Sequence, residues 1–115
     1  MRSESPLLTD RFAALGDPTR LAIVETLLSE GEKSAGDIVA RTRLSAPAVS
    51  RHLKVLTSAG LLTRKVDRQR RLYTVNPAGM GEIADWLQAH ADFWEASLAR
   101  LQTAVEASSK DPDNG

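Results

Sequence analysis

The sequence predicts a mainly α-helical fold of five helices with one short β-hairpin. Apolar residues recur at intervals of three or four along most of the chain, as they do on one face of an α-helix. Only residues 61–75 alternate with a period of two, which is typical of strands. Three dipeptides join a side chain that can cap free amides to a proline suited to the first helical position; they are Ser5-Pro6, Asp17-Pro18 and Asn76-Pro77.

The helix limits follow from these starts, from two further caps and from glycines. Ser34 and Ser45 are placed to cap the third and fourth helices, while Gly16, Gly31 and Gly60 follow the first, second and fourth. The predicted helices cover residues 6–15, 18–29, 35–41, 46–59 and 77–108.

Length and composition favour one domain over residues 1–108 and a disordered tail over residues 109–115, because the tail has nothing to bury. The chain has no cysteine, which excludes disulfides, thiolate metal sites and thiol catalysis. No apolar run resembles a signal peptide or reaches the length of a transmembrane helix. We therefore expect a cytoplasmic protein that does not enter a membrane.

Basic residues are concentrated in the middle of the chain. Residues 41–73 hold nine of the fifteen lysines and arginines but only one of the fifteen acids, within a chain whose formal net charge is zero. A basic segment in an otherwise acidic chain favours binding of a polyanion through one face. Charge alone leaves open the alternative of an ordinary solvated surface.

The third helix, a short turn, the fourth helix and the basic hairpin together predict a winged helix-turn-helix. The second helix of such a motif enters the major groove of DNA, and arginines of the hairpin, or wing, suit the minor groove or the backbone. Candidate DNA-binding residues lie in the turn, on the fourth helix and in the wing. They are Arg43, Ser45, Ala46, Pro47, Ser50, Arg51, His52, Lys54, Arg64, Arg68, Gln69, Arg70, Arg71 and Tyr73.

Two of these candidates have a second interpretation. His52 either forms a phosphate or interhelical hydrogen bond or takes part in ordinary packing, and Tyr73 is expected to be half buried with its hydroxyl outward. A winged helix used for protein interaction is the rival hypothesis, but it would need an apolar exposed side on the fourth helix. Two unrelated histidines and no cysteine provide neither a nucleophile–base pair nor a metal cluster, so we predict no catalytic residue.

The last predicted helix carries a continuous apolar seam whose spacings alternate between four and three, as in coiled coils. So long a helix cannot bury its seam against its own small domain, and a second copy of the chain is the simplest partner. Candidate interface residues come from the first and last helices. They are Leu8, Phe12, Leu15, Met80, Ala84, Leu87, Ala91, Trp94, Leu98 and Leu101.

The chain resembles the arsenic-repressor-type (ArsR/SmtB) winged-helix transcriptional regulators over about residues 12–75, and more loosely through the last helix. The resemblance implies a homodimer that pairs through its first and last helices, binds palindromic double-stranded DNA, represses its own operon and dissociates when an inducer binds. Four segments carry it: ALGDPTR at 14–20, SAPAVSRHLKVL at 45–56, AGLL at 59–62 and RLY at 71–73.

The sensing residues of that family are missing. Its arsenic-type and persulfide-type sites use cysteines, and its zinc-type site uses Asp and His ligands at a set spacing on the last helix. The last helix of this chain offers Asp85, His90, Asp92 and Glu95, with one histidine and the wrong spacing. We therefore expect no metal ligand and no cofactor, and the chain is similar to the non-metal-sensing branch, whose inducer, where one exists, the sequence does not identify.

Overall fold

The computed structural model describes residues 7–109, which form six helices and a three-stranded antiparallel sheet. The predicted fold class, mainly α with a small wing, is confirmed. The helices are α1 (Leu8–Leu15), α2 (Pro18–Glu30), α3 (Ala35–Ala40), α4 (Ala46–Ser58), α5 (Pro77–Ala89) and α6 (Ala91–Ser109). The strands are β1 (Lys33–Ser34), β2 (Leu62–Asp67) and β3 (Arg70–Val75), in the order β1-β3-β2.

The predicted helix caps form as hydrogen bonds. In each case a side-chain oxygen accepts from a backbone amide two or three residues later, at 3.0–3.3 Å. These caps are Asp17, Ser34, Ser45 and Asn76. The predicted start at Ser5-Pro6 lies outside the described residues. The described part of α1 begins at Leu8, and the amide of Leu7 donates to the Asp10 carboxylate at 3.0 Å.

The sheet contains the predicted hairpin and one strand that was not predicted. In β1, Lys33 pairs with Tyr73 and Ser34 pairs with Leu72. A strand of two residues is too short to show alternation between apolar and polar side chains, so the sequence pattern could not predict β1. The hairpin turn has no glycine, and Arg68 adopts a positive φ of 61° at its tip, a conformation that non-glycine residues seldom take.

The described chain forms two compact units, one ending at Ile83 and the other beginning at Ala84. The first unit contains the hydrophobic core, in which Val24, Val49, Leu53, Leu56 and Leu61 are the most completely buried large side chains. Three of these belong to α4, so one side of α4 is buried in the core and the opposite side is exposed to solvent. No helix within residues 7–109 is long and apolar enough to cross a membrane.

The start of α5 lies very close to the end of α4. A Cβ added to Gly79 would overlap the carbonyl oxygen of Gly60. The same carbonyl oxygen accepts from the side-chain amide of Asn76 at 2.9 Å, and the backbone amide of Asn76 donates to Leu61 at 2.8 Å. Gly79 is therefore required by this close approach, and it is buried.

The prediction of one continuous last helix over residues 77–108 is wrong, because the helix is interrupted at His90. The His90 amide donates to Leu87, three residues back, at 3.2 Å. Its ring Nδ1 lies 2.8 Å from the carbonyl oxygen of Trp86, the acceptor that the amide would use in an unbroken helix. The ring also lies against the Trp86 indole, with centroids 4.4 Å apart.

The carbonyl of Trp86 can only accept, so His90 carries a hydrogen on Nδ1 in this arrangement. Local hydrogen bonding by the side chain therefore competes with the helix and divides it into α5 and α6. The predicted disordered tail lies outside the described residues, except that Ser109 is the last residue of α6.

Candidate nucleic-acid interface

Helix α4 has one buried and one exposed side, as predicted. Val49, Leu53 and Leu56 are buried, and the position of Pro47 in the first turn costs no helix hydrogen bond. The predicted DNA-binding residues on the helix and its cap are exposed, apart from His52. The exposed ones are Ser45, Ala46, Pro47, Ser50, Arg51 and Lys54. Small side chains at the first turn allow the helix to approach a nucleic acid closely.

The turn before α4 is held by one threonine. The Thr42 hydroxyl donates to the carbonyl oxygen of Val39 at 3.1 Å and accepts from the amide of Leu44 at 3.2 Å. Both bonds close the turn between α3 and α4, and they leave Arg43 exposed between them. Arg43 therefore lies next to the N-terminus of α4, as the sequence predicts.

The wing has two faces with different charge environments. Its register pairs Arg64 with Tyr73 and Val66 with Arg71, so these four side chains lie on one face of the sheet. Lys65 pairs with Leu72 and Asp67 with Arg70, which places Lys65 and Arg70 on the opposite face. Neighbouring basic residues in the sequence thus point to opposite sides.

On the face with Lys65 and Arg70, the basic side chains meet acids. Lys65 Nζ lies 3.2 Å from Glu32, and an Arg70 guanidinium nitrogen lies 4.0 Å from Asp37. Hydrogen bonds from Ser34, followed by the nearby charge of Arg70, lower the pKa of Asp37 below its usual range. The structure therefore places Arg70 on the opposite face of the wing from Arg64, Arg71 and Tyr73.

Arg41 belongs to the same basic segment but has an acidic partner. Its guanidinium donates to Glu30 at 3.0 Å, and Lys33 lies 3.2 Å from the same carboxylate. The hydrogen bond from Lys33 is the main cause that lowers the pKa of Glu30, with Arg41 adding to it. Part of the positive charge of residues 41–73 is therefore compensated within the fold.

His52 joins α4 to the start of α2. An Arg20 guanidinium nitrogen lies 3.2 Å from His52 Nδ1, and Asp17 Oδ2 lies 4.0 Å from the same ring atom. Since a guanidinium only donates, Nδ1 acts as the acceptor and is unprotonated in this arrangement. The interhelical hydrogen bond considered for His52 is present, and its contact with DNA stays a prediction.

The same arginine also closes the end of α1. Arg20 Nε donates to the carbonyl oxygen of Ala14 at 2.7 Å. The Arg20 amide, which donates to Asp17, is the main cause that lowers the pKa of Asp17. Arg20 therefore connects three helices, α1, α2 and α4.

Tyr73 differs from its prediction. We expected a half-buried ring, but the residue is only 5% exposed. The reason is the third strand, because β3 is the central strand of the sheet and Tyr73 pairs with Lys33 on one side and Arg64 on the other. A phosphate contact by Tyr73 is untested.

Arg11 was missed by the sequence analysis. It is 6% exposed, its Nε donates to the carbonyl oxygen of Ala59 at 3.0 Å, and its guanidinium forms an ion pair with Glu82. A signal was available, since Arg11 lies three residues after Leu8 and four before Leu15, both of which pack against the core.

The predicted interface residues divide between the two units. Leu8, Leu15 and Met80 are half buried against the core of the first unit, and Phe12 is 38% exposed. In the second unit Ala91 is half buried, and the remaining candidates are exposed. These are Ala84, Leu87, Trp94, Leu98 and Leu101. Their pairing in a dimer stays a prediction.

Within residues 7–109, no group of three or more His, Cys, Asp or Glu side chains is arranged to hold a metal ion. The bond to the carbonyl oxygen of Trp86 uses Nδ1 of His90. No residue of the described chain is thus assigned as a metal ligand.

Comparison with known proteins identifies a protein family whose sequence pattern this chain matches. The family model described as "Bacterial regulatory protein, arsR family" matches residues 17–64, which include α2, α3, α4 and the first residues of β2. The HTH-type transcriptional regulator Rv2034 of Mycobacterium tuberculosis is 35% identical over 87% of this chain and 90% of its own length.

Two further proteins are similar over much of the chain. The transcriptional repressor SdpR of Bacillus subtilis is 33% identical over 66% of this chain and 83% of its own. The homodimeric winged helix-turn-helix DNA-binding domain Mb0332 of Mycobacterium bovis, a possible ArsR-family regulator solved by NMR, superposes with a TM-score of 0.59. That match is 26% identical and covers 74% of this chain and 78% of the other.

Proposed function

Because the chain belongs to the arsR family of bacterial regulatory proteins, it is a DNA-binding transcriptional regulator, and we propose that it is a homodimeric repressor of a palindromic operator. The family is one of regulators rather than of enzymes. The repressor SdpR and the homodimeric domain Mb0332 support the two finer parts of the proposal. We further propose that the protein acts in the cytoplasm and controls its own operon.

The observation that carries the proposal is the exposed side of α4. Ala46, Ser50 and Arg51 form a surface of small and basic side chains on a helix whose other side is fixed in the core. An α-helix fits the major groove of B-DNA, where an arginine reads guanine through two hydrogen bonds. We assign base contacts to the first half of α4 and backbone or minor-groove contacts to the wing.

The second copy is proposed from exposed apolar side chains. On α6, Trp94, Leu98 and Leu101 are each more than half exposed, although such residues are usually buried. A two-fold symmetric contact between copies would cover them. Two copies of α4 could then occupy successive major grooves about 34 Å apart, which is the reason for a palindromic operator. An inducer, if there is one, is of unidentified chemistry.

The proposal is tested with the full chain and the DNA upstream of its own gene. We expect footprinting to show protection of a palindromic site whose halves are one helical turn apart. Ala46→Glu places a negative charge in the first turn of α4, where the helix dipole favours it but DNA phosphates repel it. This variant should fold with unchanged or higher melting temperature and lose the footprint.

The matched control is Ala78→Glu, which adds the same charge to the first turn of α5 at another exposed position. It should retain the footprint. Equal loss of binding in both variants, or equal binding of wild-type protein to the upstream region and to random duplex, would contradict the proposed function.

A further inference from the structure

A cleft of about 710 Å³ lies between α1 and α4 and opens to solvent. Alanines from both helices, together with Val55 of α4, give it a mainly apolar lining. Val55 is 41% exposed, although valine side chains are usually buried. Sites for small molecules have volumes of roughly 300–1,000 Å³ and mainly apolar walls, so the cleft has the size and the lining to hold one.

The direction of the two helices determines which residues share an end of the cleft. At one end Arg11 of α1 donates to the carbonyl oxygen of Ala59, directly after α4 ends. At the other end Arg20 donates to the carbonyl oxygen of Ala14 in α1 and lies 3.2 Å from the ring of His52 in α4. The two helices therefore run in opposite directions along the cleft.

The charged and polar side chains of the cleft are divided between its ends. Arg51 of α4 lies at the end where Arg20 connects the helices, and Lys54 follows one turn later. Asp10 of α1 lies at the other end, together with Ser58 of α4. Neither lysine nor arginine of α4 forms an ion pair with an acid in the described part of the chain. The cleft thus has a cationic end, an apolar middle and an end with a carboxylate and a hydroxyl.

Arg51 is the residue at the cationic end that is best suited to hold an anion. Arg20 already directs its donors to two backbone carbonyls of α1 and to His52, so it contributes charge rather than new hydrogen bonds. Arg51 is exposed, and a guanidinium binds a carboxylate through two parallel hydrogen bonds. Asp10 repels an anion but can accept a hydrogen bond from a hydroxyl. The anionic group of a ligand therefore belongs beside Arg51.

We propose that this cleft binds a small organic carboxylate with a rigid apolar body and a distal hydroxyl, about 10 Å long, and that this ligand releases the operator, which rests on the proposed function. Its carboxylate pairs with Arg51, its body covers Val55, and its hydroxyl donates to Asp10. The length follows from the seven residues between Arg51 and Ser58, which rise about 10 Å along the helix.

Release of the operator follows from the double use of Arg51. The same guanidinium is assigned to read a base, and its paired donors cannot hold a ligand carboxylate and a guanine at once. The ligand and the operator therefore exclude each other. The apolar lining favours an organic acid over DNA in this cleft, because a sugar–phosphate backbone is charged along its length and gains little from covering Val55.

The probe is para-hydroxycinnamate, a rigid carboxylate of this length, and its neutral control is para-hydroxycinnamamide. Isothermal titration calorimetry of the full chain without DNA measures their binding. We expect saturable binding of the carboxylate and binding of the amide that is weaker by about tenfold or more. Arg51→Ala should weaken binding of the carboxylate by a similar factor. Arg43→Ala removes an exposed arginine outside the cleft and should leave this binding unchanged.

The second pair of variants tests the apolar middle of the cleft. Val55→Ser removes apolar surface without adding charge and should weaken para-hydroxycinnamate binding by about fivefold. Val66→Ser makes the same change at an exposed position of the wing and should not affect it. In fluorescence anisotropy with labelled operator, Val55→Ser should bind DNA like the wild type but need about fivefold more para-hydroxycinnamate for release.

Three results would overturn the proposal. The first is the absence of saturable binding to the wild-type protein, or binding by Arg51→Ala and Val55→Ser that equals it. The second is a loss of operator binding in Val55→Ser as large as its loss of probe binding, which would assign the cleft to DNA. The third is a bound probe that leaves operator affinity unchanged. In each case a footprint lost in Ala46→Glu and retained in Ala78→Glu would still support the proposed function.

Discussion

Arg11 of α1 and Glu82 of α5 form an ion pair although 71 positions separate them in the sequence. The same guanidinium donates from Nε to the carbonyl oxygen of Ala59 at 3.0 Å, directly after α4 ends. A cation is favourable there because the C-terminal end of a helix carries a partial negative charge. One buried side chain thus ties α1 and α5 to the end of the helix that is proposed to enter the major groove.

We predict that Arg11→Met destabilises the protein by about 1–3 kcal/mol, since the buried carbonyl of Ala59 loses its donor while the apolar volume is kept. Urea unfolding followed by circular dichroism measures the change. Arg43→Met is the matched control, because Arg43 is exposed and its replacement should change stability by less than about 0.5 kcal/mol. Equal effects of the two variants would show that the contacts of Arg11 add no net stability.

Two glycines of α5 should respond to alanine in opposite directions. Gly79→Ala places a Cβ onto the backbone of Gly60, so the helix must shift, and we expect a loss of about 1–3 kcal/mol. At Gly81 a Cβ meets nothing within 4 Å, and Gly81→Ala should stabilise by about 0.5–1 kcal/mol through helix propensity. Thermal melting of both variants decides the point, and a stabilising Gly79→Ala would contradict the close approach.

The proposed dimer predicts monomers when the apolar residues of the second unit become charged. Leu87→Glu with Trp94→Glu should yield a monomer by sedimentation equilibrium and weaken operator binding, mainly because two half-sites no longer bind together. The control, Gln88→Glu with Gln102→Glu, adds the same two charges at polar positions and should remain dimeric. A dimeric Leu87/Trp94 variant would show that these side chains do not hold the copies together.

Arg51 is predicted to read a base rather than only a phosphate. Arg51→Ala should cost about 1–3 kcal/mol on the operator and relax preference at one base pair per half-site. Competition with a set of single-base operator variants measures this preference. If the loss is equal on operator and random duplex, Arg51 is a phosphate contact that does not read a base.

Acid sensitivity should come partly from two carboxylates at helix N-termini. The pKa values of Asp17 and Asp37 are lowered in the folded protein, by the Arg20 amide and by Ser34 respectively. A folded pKa below the unfolded value, about 3.9, gives stability that is present above that pH and is lost as the pH falls further. The melting temperature should therefore decline below about pH 4.

Replacing both acids with asparagine keeps a capping oxygen and removes the titration. Asp17→Asn with Asp37→Asn should flatten the decline of melting temperature between about pH 4 and pH 2.5. Ser45→Asn exchanges one neutral cap for another and should leave the decline unchanged. An acid transition with the same slope in the double variant would show that other carboxylates cause it.

Most helices could be predicted from the sequence because their signals are local. Each cap depends on residues two or three positions apart, and the buried side of α4 follows from spacing alone. The break at His90 could not be predicted from apolar spacing, which continues through it. It results from competition between a side chain and its own backbone for the carbonyl of Trp86.

The candidate site was predictable to the extent that it lies on α4. The wing was harder to predict. Alternation along the strand places Arg70 and Arg71 on opposite faces of the sheet, but it does not indicate which face forms ion pairs with acidic residues. That depends on Glu32 and Asp37, each of which lies 33 positions before its partner in the wing, Lys65 or Arg70, and approaches it only in the folded chain. Arg11 shows the same limit, since the partners of a buried cation are far away in sequence.

At Arg68, which has a positive φ at the tip of the wing, thermal stability and nucleic-acid affinity favour different residues. A glycine would take the φ of 61° without strain, whereas arginine holds it at a cost on the order of 1 kcal/mol. The same replacement removes a cation from the region that is proposed to meet DNA. A directed-evolution screen for heat resistance alone would therefore enrich glycine at position 68 and select weaker regulators, so such a screen must also demand repression.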